Sequence, residues 1–131
     1  MGNTKIASRV EAIKTHIERQ SGAVGSSLPS VRGVKLYKVA NKIFAILEVA
    51  HVTAVNLKCD QHLVEMLKKQ YTGVGHRGHL DRRFWISVAL DADVPVAEIK
   101  RLISGSYDMI VASLTKKQQA ALLTAQKPKP S

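Results

Sequence analysis

Apolar residues open the chain at helical spacing. Ile6, Val10, Ile13 and Ile17 recur three or four apart, with Arg9, Lys14 and Glu18 between them. One stripe on a 3.6-residue period predicts an amphipathic helix over about residues 4–20. Ser21-Gly22 ends it, and the Gly/Ser-rich stretch to Pro29 reads as a loop. From Val34 the period drops to two. Val34 to Val39 predicts a strand, Asn41-Lys42 a tight turn, and Ile43 to Val49 a second strand, apolar on both faces and therefore central. His51-Val52-Thr53 turns the chain again. In the third strand, Ala54 to Lys58, alternation sends Val55 and Leu57 inward and Asn56 and Lys58 outward.

The second half returns to helices. Asp60 is a good N-cap for a helix over 61–70 with Leu63, Leu67 and Tyr71 as its inner stripe. Phe84 to Leu90 alternates as a further strand. Pro95 fits the first turn of a long helix, whose buried face is Ile99, Leu102, Ile103, Ser106, Ile110 and Leu114. Gly105 inside that helix costs about 1 kcal/mol relative to alanine, which points to close helix–sheet packing. Thr115-x-x-Gln118 is a capping box that opens a last short helix. The order predicts an α+β fold: an antiparallel sheet with helices packed on one side. Residues 1–125 make a single domain, and 126–131, with Lys127 and Lys129, a frayed basic tail.

Composition adds a partner class. Twenty Lys and Arg against ten Asp and Glu give a formal charge of +10, which favours anionic partners. Cys59 is the single cysteine, so no internal disulfide can form. The N-terminus lacks the apolar run of a signal peptide, and no apolar stretch is long enough to span a bilayer. The expectation is a cytoplasmic protein without a membrane partner.

The candidate chemistry gathers between Tyr71 and Leu90. His76, Arg77, His79, Arg82 and Arg83 face one acid, Asp81, and the single tryptophan, Trp85, follows directly. Trp85 and Ser87 alternate with Ile86 and Val88, so they share an outer face with Asn56 and Lys58 if the strands share a sheet. Arg77, Arg82 and Arg83 would hold phosphates, and Trp85, with Asn56 and Lys58, would offer bases a stacking surface. Burial of Trp85 under a helix is an equal alternative.

Other constellations carry less. Gly73-Val74-Gly75-His76-Arg77-Gly78 matches G-x-G-x-x-G, but dinucleotide binding needs strand before helix, and here a helix precedes and a strand follows. His51, His62, His76 and His79 lack the thiolate or carboxylate company of a zinc site. Cys59 has no positioned base and reads as a buried structural residue. Ser106-Tyr107 falls in a packing stripe.

Four ordered motifs resemble the MmcQ/YjbR-like family: Lys42-x-Phe44-Ala45, Val55-Asn56-Leu57-Lys58-Cys59-Asp60, Arg82 to Val88 leading to Val94-Pro95, and Ser106-Tyr107. The resemblance implies a CyaY-like α+β fold and a DNA-binding role, through similarity to the double-wing domain of the phage regulator MotA. Asp81 and Phe84 stand where the family usually has Asn and His.

The reading is a small basic DNA-binding module, with Arg77, Arg82, Arg83, Trp85, Lys58 and Asn56 as its contacts. The alternative is a non-enzymatic module for a small anionic ligand or an acidic protein. No acid–base pair, metal set or cofactor motif is visible, so neither enzyme activity nor a cofactor is expected.

Overall fold

The computed structural model describes residues 2–28, 30–50, 53–78 and 80–125. Pro29, the turn residues His51 and Val52, His79, and the tail with Lys127 and Lys129 lie outside the described residues. The elements run α1 (Gly2–Glu18), β1 (Val24–Ser27), β2 (Val34–Val39), β3 (Lys42–Val49), β4 (Thr53–Lys58), α2 (Gln61–Gln70), β5 (Val74–Gly75), β6 (Trp85–Ala89), α3 (Val96–Ala112) and α4 (Lys116–Ala125). The six strands form one antiparallel sheet in the order β1-β2-β3-β4-β6-β5. The helices pack on one side, as the α+β reading expects.

The register explains the core. Across β2 to β6, Tyr37 faces Ala45, Ala45 faces Leu57 and Leu57 faces Ile86, while Leu47 faces Val55 and Val55 faces Val88. These residues are buried and pack with Ile13 and Ile17 of α1 and Ile99, Leu102, Ile103 and Ile110 of α3. Each buried aliphatic side chain contributes about 1.5–3 kcal/mol by leaving water. Ser106 is fully buried in α3. Its hydroxyl donates to the Phe44 carbonyl (2.6 Å) and accepts from the Lys58 amide (2.9 Å), so it ties α3 to β3 and β4. Tyr107 stands edge-on to Phe44, ring centroids 5.5 Å apart, and donates its hydroxyl to the Ser21 carbonyl.

Several details differ from the sequence reading. Val24–Ser27, read as loop, is an edge strand on β2. Gly25, Ser26 and Ser27 have little strand preference; the free edge of β2 supplies the pairing. A Cβ at Gly25 would approach the Tyr37 ring to 2.7 Å, so glycine lets the two strands meet. The β2–β3 turn is Ala40-Asn41, both at positive φ (47° and 68°), and Lys42 already belongs to β3. In α2 the buried residues are Val64 and Leu67, whereas Leu63 is 37% exposed. Its buried face therefore centres on Val64 and Leu67 rather than on Leu63. Pro95 is the N-cap of α3 and precedes its first turn.

Gly105 gives the clearest correction. A Cβ there would meet nothing within 4 Å, so close packing is not its reason. It faces an apolar groove of about 360 Å³ lined by Cys59, Leu63, Leu102 and Met109, among others. The Thr115 capping box forms as read, with Gln118 N–H donating to Thr115 Oγ1 (3.1 Å) and Thr115 N–H to Gln118 Oε1 (3.0 Å).

Candidate functional site

The helix-free side of the sheet carries the other half of the alternation. One row runs Leu36, Ile46, Asn56, Ser87 and Gly75, and the next runs Val34, Glu48, Ala54 and Ala89. Lys58 pairs with Trp85 at one end. An open sheet face should expose its middle, yet Ala54 is 1%, Asn56 3% and Ser87 6% exposed.

The basic loop after β5 sends Arg77 back over this face. Asp93 fixes its entry, accepting from the Thr72 (2.9 Å) and Gly73 (2.8 Å) amides, which hold the Asp93 carboxyl below its usual range. His76 Nδ1 lies 3.1 Å from the Trp85 carbonyl oxygen. Arg77 then reaches across β6 and β4 to Glu48 on β3, with Nε 2.8 Å from Oε2. The small Ala54 and Ala89 in the Glu48 row leave room for an arginine to cross. That contact is ionic and lacks hydrogen-bond alignment. Among the described residues, Glu48 Oε2 and Asn56 Oδ1 are the buried side-chain oxygens without a hydrogen-bond partner.

The six expected contact residues therefore divide. Arg82 is exposed. Arg83 is exposed but clamps Asp81 through Nε (3.2 Å) and Nη2 (2.9 Å), and its guanidinium lies 5.3 Å from the Phe84 ring centroid. The Arg83 hydrogen bonds hold the Asp81 carboxyl below its usual range. Arg77 is engaged by Glu48. Trp85 is half-buried on the outer face beside Lys58, so it lies neither under a helix nor fully in solvent. Asn56 is on the expected face but covered, which corrects its reading as an exposed group. Glu48 and Ser87 are the additions; the pleat of β3 places Glu48 outward, but its pairing with Arg77 depends on the loop's path.

The remaining candidates stay apart. His62 is exposed on α2, far in sequence from His76; His51 and His79 lie outside the described residues. No group of three or more His, Cys, Asp or Glu residues assembles among the described residues. Cys59 is buried, and burial, reinforced by the Asp60 charge, pushes its thiol up to about 11, so it stays protonated near neutral pH. The G-x-G-x-x-G run follows α2, contains β5 and precedes β6, the reverse of a dinucleotide turn. No helix among the described residues is long and apolar enough to cross a membrane.

The YjbR family model matches residues 24–109, which span β1 to most of α3 and include the outer face and its loop. This chain belongs to the YjbR family. The YjbR protein of Escherichia coli K12 is 33% identical over 87 residues, 66% of this chain and 74% of that protein. The YbdF protein of Escherichia coli O157:H7 is 28% identical over 85 residues, 64% of this chain and 70% of that protein. Among solved structures, a Deinococcus radiodurans protein with the DUF419 domain superposes with a TM-score of 0.77 at 21% identity, covering 86% of each chain. A Pseudomonas syringae protein gives 0.63 at 19% identity, covering 72% of this chain and 92% of its own. Those two likenesses show that the YjbR fold is shared.

Proposed function

We propose that this YjbR-family chain is a small nucleic-acid-binding module that holds DNA by its backbone. The observation that carries the reading is the pairing of half-buried Trp85 with Lys58 at one end of the outer sheet face, with exposed Arg82 just before Trp85 in the chain. Arg83 adds to it, because an ion pair as exposed as Arg83–Asp81 yields readily to a phosphate. The net charge of +10 supplies long-range attraction. No helix projects from the loop, so phosphate contacts dominate.

Salt dependence tests this. Each phosphate contact on a single strand contributes about −0.7 to the slope of log affinity against log salt. Replacing Arg82 and Arg83 by alanine should weaken binding to every sequence and flatten the slope by about 1.4. An unchanged affinity and slope would remove the loop from the footprint. A second reading, a small-ligand module, has its own support in the groove that Gly105 keeps open. It would then take precedence.

A further inference from the structure

The covered middle of the outer face contains an unmet chemical demand. Asn56 Oδ1 and Glu48 Oε2 are buried acceptors without a hydrogen-bond partner, on diagonal positions of adjacent strands. Asn56 is 3% exposed, and a buried acceptor left unpaired is costly. Arg77 already meets Glu48 Oε2, so Asn56 Oδ1 is the acceptor left open, and it calls for a donor such as an amine. Trp85 lies diagonally from Asn56 across the β4–β6 pair, about 7–8 Å between backbones, within reach of one planar ring system. A free cation would be repelled by Arg77, Arg82 and Arg83, whereas an amine carried on a phosphate chain would be attracted.

From these observations we infer that the outer face binds an unpaired nucleobase bearing an exocyclic amine, cytosine, adenine or guanine rather than thymine. The inference rests on the nucleic-acid reading and names what that site selects. Trp85 stacks on the base, and Asn56 Oδ1 accepts from its amine, with Glu48 beside it. Arg77 occupies the place first, and Glu48 holds it as a phosphate would. Binding therefore moves Arg77 from Glu48 to the incoming backbone. Gly78, next to Arg77, sits at φ +64°, a left-handed conformation that glycine adopts without strain. Duplex DNA, whose bases are stacked and paired, cannot present such an edge to a sheet face.

The test compares short oligo-dC, oligo-dT and oligo-dC carrying N4,N4-dimethylcytosine at fixed salt, read by fluorescence anisotropy. One hydrogen bond gained should favour dC over dT by about 2- to 10-fold, and dimethylation should abolish the preference. Asn56→Leu removes the acceptor at similar volume, and should bring the ratio of dC to dT affinity to about one. Equal affinity for all three oligonucleotides, or a dC preference that survives Asn56→Leu or dimethylation, would overturn the inference while the salt slope still reports on backbone binding. Absence of any DNA binding would overturn both readings.

Discussion

The two faces of the sheet are covered by different physics. On the inner face, helices α1 and α3 bury Tyr37, Ala45, Leu47, Val55, Leu57, Ile86 and Val88 among aliphatic side chains. On the outer face, Ala54, Asn56 and Ser87 are buried beside a loop whose described ties are polar: Arg77 to Glu48, His76 to the Trp85 carbonyl and the Cys59 amide to the Phe84 carbonyl. Apolar burial is additive and hard to undo locally, whereas the Arg77–Glu48 pair is a single contact whose guanidinium is partly open to solvent. The inner face should therefore open only with global unfolding, and the outer face by a local excursion of the loop. Only the second kind of cover can be exchanged for a ligand.

The largest expected effect separates the faces directly. Ile103→Ala, at a fully buried position of α3, should cost about 2–5 kcal/mol in urea unfolding. Trp85→Ala, half-exposed on the other face, should cost clearly less than the 3–5 kcal/mol typical of a core tryptophan. Equal losses would erase the distinction. Next is Ser106→Ala, which strips the Lys58 amide of its acceptor at a fully buried site and should cost about 1–3 kcal/mol. A loss below about 0.5 kcal/mol would show that water replaces the hydroxyl, and that α3 is less tightly seated than the hydrogen bonds indicate. The smallest effect has the opposite sign. Gly105→Ala should stabilise the protein by about 0.5–1 kcal/mol, since the helix gains propensity and the new methyl meets nothing. Destabilisation would mean that the groove closes in solution.

Legibility in the sequence followed the same division. Periodicity identified β2, β3, β4, β6, α1, α2 and α3, and the buried faces of all but α2, because apolar alternation is written locally. The capping residues Asp60 and Thr115 were equally readable. Edge strands β1 and β5 were missed: Gly25 to Ser27 and Val74-Gly75 pair because a neighbour offers an edge, not through their own preference. The site was half legible. Alternation placed Asn56, Lys58 and Trp85 on one face, but neither the burial of Asn56 nor the meeting of Arg77 with Glu48, 29 positions away, is recorded in any local pattern. Gly105 was misread for a related reason, since sequence shows a glycine but not the empty space beside it.

Hydrogen exchange over residues 76–84, measured free and with excess oligo-dC, tests the central claim most directly. A loop held by polar ties should exchange far faster than the amides of β3 and β4 in the free protein. Oligo-dC should slow the loop while leaving the inner-face strands unchanged. A loop as protected as the central strands, or one whose exchange DNA does not alter, would contradict the account.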